Sequence, residues 1–197
     1  MKILASALGI IFLAALVVGL WAVGAYNGIV GRNEALSKAW ATVESQYQRR
    51  LDLIPNLVET VKGSAKFEKE TLTAVVDARS RVGSLNIGKG VLEDPASFKK
   101  FEEAQAGLSS ALSRLMVVVE KYPDIKSTQG YRDLQVQLEG TENRIAVARN
   151  DFNAAAQDYN TAIKVFPGAL VASMGGFKER PYFQAAPEAA KAPSVKF

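Results

Sequence analysis

The chain has 197 residues, with 24 Lys and Arg against 20 Asp and Glu, a net charge of +4, and neither Cys nor His. A mild charge without a basic block argues against a nucleic-acid partner, because phosphate binding needs a concentrated positive face. The missing residue types exclude disulfides, thiolate chemistry, a Ser-His-Asp triad, a Cys- or His-built zinc site and a bundle-type Glu-x-x-His di-iron site.

The first element is Ile3–Ala25, an uncharged apolar run that follows Met1 and Lys2. Crossing the hydrocarbon core takes about 20 apolar residues at ~1.5 Å rise each. The run therefore reads as a transmembrane signal-anchor over residues 1–27, with the lipid bilayer as its partner. Signal-peptide apolar regions are shorter, roughly 7–15 residues. Val23-Gly24-Ala25 before Tyr26 does loosely match a cleavage site. An exported soluble helical binding module, its signal removed, is therefore the alternative. Lys2 pulls the amino terminus toward the cytoplasm, while Arg32 and Lys38 pull the other way. The very short N-terminal tail favours a single-pass protein of the bacterial inner membrane with its domain on the extracytoplasmic side. Trp21 and Tyr26 read as an interfacial aromatic belt, with a lipid-binding role as the sharper option.

Leu36, Trp40, Val43 and Tyr47 then step by four, three and four along one helical face. Only Gly28 and Gly31 would interrupt a helix running on from the anchor. Pro55 marks a kink or a new helix start, with Asp52 as its cap. A second amphipathic run follows (Leu57, Val58, Val61, Ala65, Leu72, Val75, Val76, Arg79), interrupted but not ended at Gly63 and Phe67. Gly83, Gly88 and Gly90 place a loop before Asp94-Pro95, a helix cap and first-turn proline. The third run, Phe98, Phe101, Gln105, Leu108, Leu112, Leu115, Val119 and Tyr122, alternates three and four as in a coiled-coil seam, and Pro123 ends it. The fourth run goes from Tyr131 through Leu138, Thr141, Ile145, Phe152 and Tyr159 to Phe166, and Pro167-Gly168 stops it. Its length, about 54 Å at ~1.5 Å per residue, would overhang its neighbours.

No stretch alternates as a strand does, so the fold class is all-α: a transmembrane helix, then an antiparallel four-helix up-and-down bundle over residues 28–168. Residues 169–184 read as an apolar post-bundle segment, and residues 185–197 as a disordered Ala/Pro tail.

Particular residues carry a family resemblance. Tyr26-Asn27, Ala39-Trp40, the long run from Arg49-Arg50-Leu51-Asp52-Leu53-Ile54-Pro55-Asn56 to Lys62-Gly63, and Ala78-Arg79 resemble the LemA family. So do Glu120 to Lys126, Arg149 to Asn160, Phe166-Pro167 and Gly176-Phe177. Phe152-Asn153 departs from the family's frequent Tyr-Asn by one hydroxyl. The resemblance implies a bacterial membrane protein with one N-terminal span and a bromodomain-like bundle, and a role in organising membranes or assemblies.

Arg49, Arg50 and Asp52 are candidates for a partner or headgroup site, but read first as an ion-paired turn between helices. Glu59, Glu120, Glu139 and Glu142 read as solvated faces rather than a carboxylate cluster. The aromatic stripe Phe98, Phe101, Tyr122, Tyr131, Phe152, Tyr159 and Phe166 reads as core rather than a ligand pocket. The segment from Gly175 to Phe183 is either an interaction surface or a strap packed on its own bundle. No catalytic, cofactor-binding or metal site is expected, nor a cofactor or small-molecule substrate. The expected role is a non-enzymatic membrane scaffold that homo-oligomerises, with other membrane proteins as further partners.

Overall fold

The computed structural model describes residues 2–63, 68–85 and 88–184, and among them every regular element is helical. The apolar run feeds directly into the domain. One helix, α1 (Lys2–Lys62), carries 61 residues, about 90 Å at ~1.5 Å each. Gly28 and Gly31 sit inside it without a break, and Ile29 and Leu36 are already core residues.

Pro55 also lies within α1, so no second helix starts there and Asp52 caps nothing. An interior proline costs about 3 kcal/mol. Its position faces solvent, while Leu53, Ile54, Leu57 and Val58 around it are buried. At roughly 1.5–3 kcal/mol for each buried side chain, their burial outweighs the proline's cost. The run read as one helix from Leu57 to Arg79 is therefore two elements. Its first part belongs to α1, and Gly63 is a turn. Its second part is α2 (Lys69–Gly83), on which Val76, expected inside, is exposed. Ala65 and Phe67 lie outside the described residues.

The connection to the next helix includes a 3-10 turn (Lys89–Leu92) that buries Val91 and Leu92. α3 (Pro95–Val119) begins as its sequence dictates. Asp94 accepts hydrogen bonds from the Ser97 hydroxyl (2.6 Å) and from the amides of Ala96 (3.2 Å) and Ser97 (3.0 Å). Those bonds, the Ser97 hydroxyl's first, hold its carboxyl below the usual aspartate value. Pro123 opens a short helix, α4 (Pro123–Lys126), as well as following the end of α3. Thr128 then caps α5 (Gln129–Lys164), 36 residues long.

The apolar segment after Pro167 contains a further helix, α6 (Gly168–Gly175). Gly176, at φ +70°, closes it in the left-handed region open to glycine. A Cβ on Gly168 would lie 2.0 Å from the Ala162 carbonyl oxygen, so only glycine lets α6 start this close to α5. The expected disordered tail, residues 185–197, lies outside the described residues.

The buried side chains form two apolar clusters. One holds Trp40, Val43, Tyr47, Phe98, Phe101, Phe152 and Tyr159. The other holds Ile54, Leu57, Val61, Val75, Leu108, Leu115, Tyr131 and Leu138. α1 and α3 run from the first cluster into the second, and α5 runs in reverse. α2 contributes to the second alone; the first also takes Ala172 of α6 and Phe183.

Candidate functional site

The level between the two clusters is polar. Arg50 follows Tyr47 by three residues on the inner face of α1 and is only 1% exposed. Its Nη1 donates to Ser109 Oγ (2.7 Å) and to Glu142 Oε1 (2.8 Å). Its Nη2 donates to the side-chain and backbone oxygens of Gln105, and the guanidinium lies 5.1 Å from the centre of the Tyr47 ring. α1, α3 and α5 thus meet in one charge-assisted network. Thr141, buried beside Glu142 in sequence, bonds the Gln137 carbonyl (2.7 Å) within α5. Arg50 Nε and Gln105 Nε2 are buried and have no hydrogen-bond partner.

A cleft of about 730 Å³ opens beside this layer, between α3, α5 and the chain after α6. Its lining is mixed in sign, with Arg50, Lys99, Glu102, Glu103, Glu142 and Arg149. Arg149 approaches Glu102 at 3.7 Å, lies 4.6 Å from the Phe183 ring centre and donates to the Gln184 carbonyl (3.0 Å). Burial pushes the Tyr47 phenol above its ordinary value, against the opposing effect of Arg149 and Arg50. Among the described residues, no group of three or more carboxylates is placed to hold a metal ion. The arrangement suits ion pairing and hydrogen bonding between helices.

The chain after α6 packs on its own domain. Asn153 receives the Phe183 amide (2.9 Å) and donates to the Phe183 carbonyl (3.0 Å). One helical repeat away, Asn160 does the same for Arg180, at 2.9 and 2.8 Å. Tyr159 donates to the Lys178 carbonyl (3.1 Å), and burial raises its phenol too. Residues 177–184 are thereby held along α5 as an extended strap. The strap drives Phe183 among Trp40, Phe98, Phe101 and Phe152, with ring centres 5.0–6.5 Å apart. Of the two readings of Gly175–Phe183, the structure gives the packed strap.

The other sequence candidates separate. Arg49 and Asp52 face outward in mid-helix, and Asp52 accepts from Gln48 (2.8 Å). The four glutamates have different partners: Glu59 pairs with Lys62, Glu120 with Lys126, Glu139 with Gln135 and Glu142 with Arg50. Most of the aromatic stripe is core, but Phe166 is 84% exposed. Trp21 lies 6.4 Å from Phe166 and Tyr26 lies 5.5 Å from Phe177, ring to ring. Sequence reasoning missed the parts played by Ser109, Asn153 and Asn160. The signal for the two asparagines was their seven-residue spacing beside Phe152 and Tyr159.

These features define an all-α protein whose N-terminal helix is long and apolar enough to cross a membrane, by length and composition. The chain belongs to the LemA family, whose profile matches residues 39–197. It is 35% identical over 179 residues to magnetosome protein MamQ 2 of Paramagnetospirillum magneticum, an alignment covering 82% of this chain and 65% of that protein. Magnetosome protein MamQ of Magnetospirillum gryphiswaldense is 32% identical over 180 residues, with the same coverage of each. Protein LemA of Metamycoplasma hominis is 22% identical over 144 residues, covering 73% of this chain and 62% of that one. The chain thus spans less than two thirds of the length of these relatives.

Proposed function

We propose that the protein is a non-catalytic, membrane-anchored scaffold of the bacterial inner membrane that self-associates and organises membrane or protein assemblies. One observation carries the reading: the large apolar side chains from Leu8 to Val23 are exposed, on the same unbroken helix that enters the core at Ile29. Leaving that surface in water is unfavourable by about 25 cal/mol per Å², and a bilayer removes the cost. The positions of Gly9, Gly19 and Gly24 are open, which permits close approach of a second span. The relatives named as magnetosome proteins support a role in assemblies at membranes. The reading puts the domain on the extracytoplasmic side, with Lys2, ahead of the apolar run, at the cytoplasmic face.

The test is the mass of the purified protein in mild detergent, by light scattering corrected for bound detergent. The scaffold reading expects a multiple of 21.2 kDa. A strict monomer at every protein concentration would contradict self-association.

A further inference from the structure

We propose that α6 and the turn before it form a second membrane contact, seated in the headgroup layer beside the span. The proposal rests on the anchored reading above and adds to it a footprint for the folded domain.

The outward face of α6 is unusual for a water-exposed helix. Gly168 and Ala172 are buried against the domain. Phe166, Leu170 and Met174 follow one another by four residues on the other side, and are 84%, 57% and 84% exposed. The sequence from Val165 to Phe177 carries no charge, and Lys164 and Lys178 bracket it. An apolar outward face ending in cations is the pattern of a segment lying in the plane of a membrane interface.

Position supplies the independent argument. The Phe166 ring is 6.4 Å from Trp21, and Phe177 is 5.5 Å from Tyr26. A Cβ on Gly168 would touch Ile29 at 3.9 Å. α6 therefore lies level with Trp21 to Ile29, about 12 Å of helix axis. With about 20 residues from Ile3 filling a ~30 Å core, Trp21 sits at the core's outer edge and α6 in the headgroup layer above it. The exposed patch is thus continuous with the lipid-facing surface of the span, which identifies its occupant as the bilayer.

The absence of cysteine makes single-site labelling direct. L13C, L170C, M174C and V147C variants of the full chain, each carrying an environment-sensitive fluorophore, are reconstituted into phosphatidylcholine–phosphatidylglycerol vesicles. Helix content is checked by circular dichroism. Doxyl-labelled lipids report contact with lipid, and iodide reports contact with water. The proposal expects doxyl lipid to quench positions 13, 170 and 174 by about twofold or more, with position 147 on α5 quenched by iodide alone. If position 13 is quenched by lipid while 170 and 174 behave like 147, the α6 contact is wrong and the anchor stands. Shielding of 170 and 174 from both quenchers would assign the patch to a second copy of the chain and overturn the proposal. An unquenched position 13 would remove the anchor and this inference with it.

Discussion

Arg50 and Glu142 form an unequal pair: the arginine is 1% exposed, the glutamate side chain 43%. Removing the glutamate strands a buried cation; removing the arginine leaves a carboxylate that water reaches. Breaking a buried pair from one side costs about 3–5 kcal/mol, and the remaining oxygens of Ser109 and Gln105 reduce that. Glu142→Ala is expected to destabilise by about 2–3 kcal/mol in chemical denaturation. Adding Arg50→Met to it should recover part of the loss, and a strictly additive double variant would contradict the network. Buried tyrosines give a pH dependence. Burial raises the phenols of Tyr47, Tyr131 and Tyr159 above the ordinary value of 10.0. A folded-state pKa above the unfolded one means the contribution is complete below about pH 10 and fades as pH rises through the higher folded value. Melting temperature should therefore fall above pH 10, together with the rise in tyrosinate absorbance. The layer was partly legible in the sequence. Gln105 occupied an apolar position of the α3 seam, and Arg50 continued the Trp40, Val43, Tyr47 progression by three. Neither position says that the two residues meet, because 55 residues separate them.

At the scale of elements, strong local signals translated directly. Asp94-Pro95 opened α3, and the steps of three and four from Tyr131 to Tyr159 became α5. Pro55 misled because helix propensity is weaker than the burial of its four apolar neighbours. α6 was not legible and the strap was only one of two open readings, since their order comes from tertiary contacts: the close approach at Gly168 and the two asparagine clamps. The clamps make a specific prediction. Asn153→Asp keeps an acceptor for the Phe183 amide but sets a carboxylate oxygen against the Phe183 carbonyl. Its cost should be about 1–3 kcal/mol, and hydrogen exchange at residues 180–184 should accelerate first. Unchanged exchange there would mean the clamp does not hold the strap.

Over the whole molecule, one helix joins two environments. Residues 8–23 expose apolar surface, and from Ile29 onward the same helix supplies core to both apolar clusters. On the anchored reading proposed above, a domain built on the continuing helix is held close to the bilayer, and the proposed α6 contact adds a second point of support. The LemA family profile covers residues 39–197, which takes in most of the helical domain. The most direct test is peptide mapping by mass spectrometry of the protein recovered from carbonate-washed membranes. Retention of peptides from Ile3–Ala25 in the membrane fraction is the predicted result; a mature chain beginning at Tyr26 and released into the wash would contradict it.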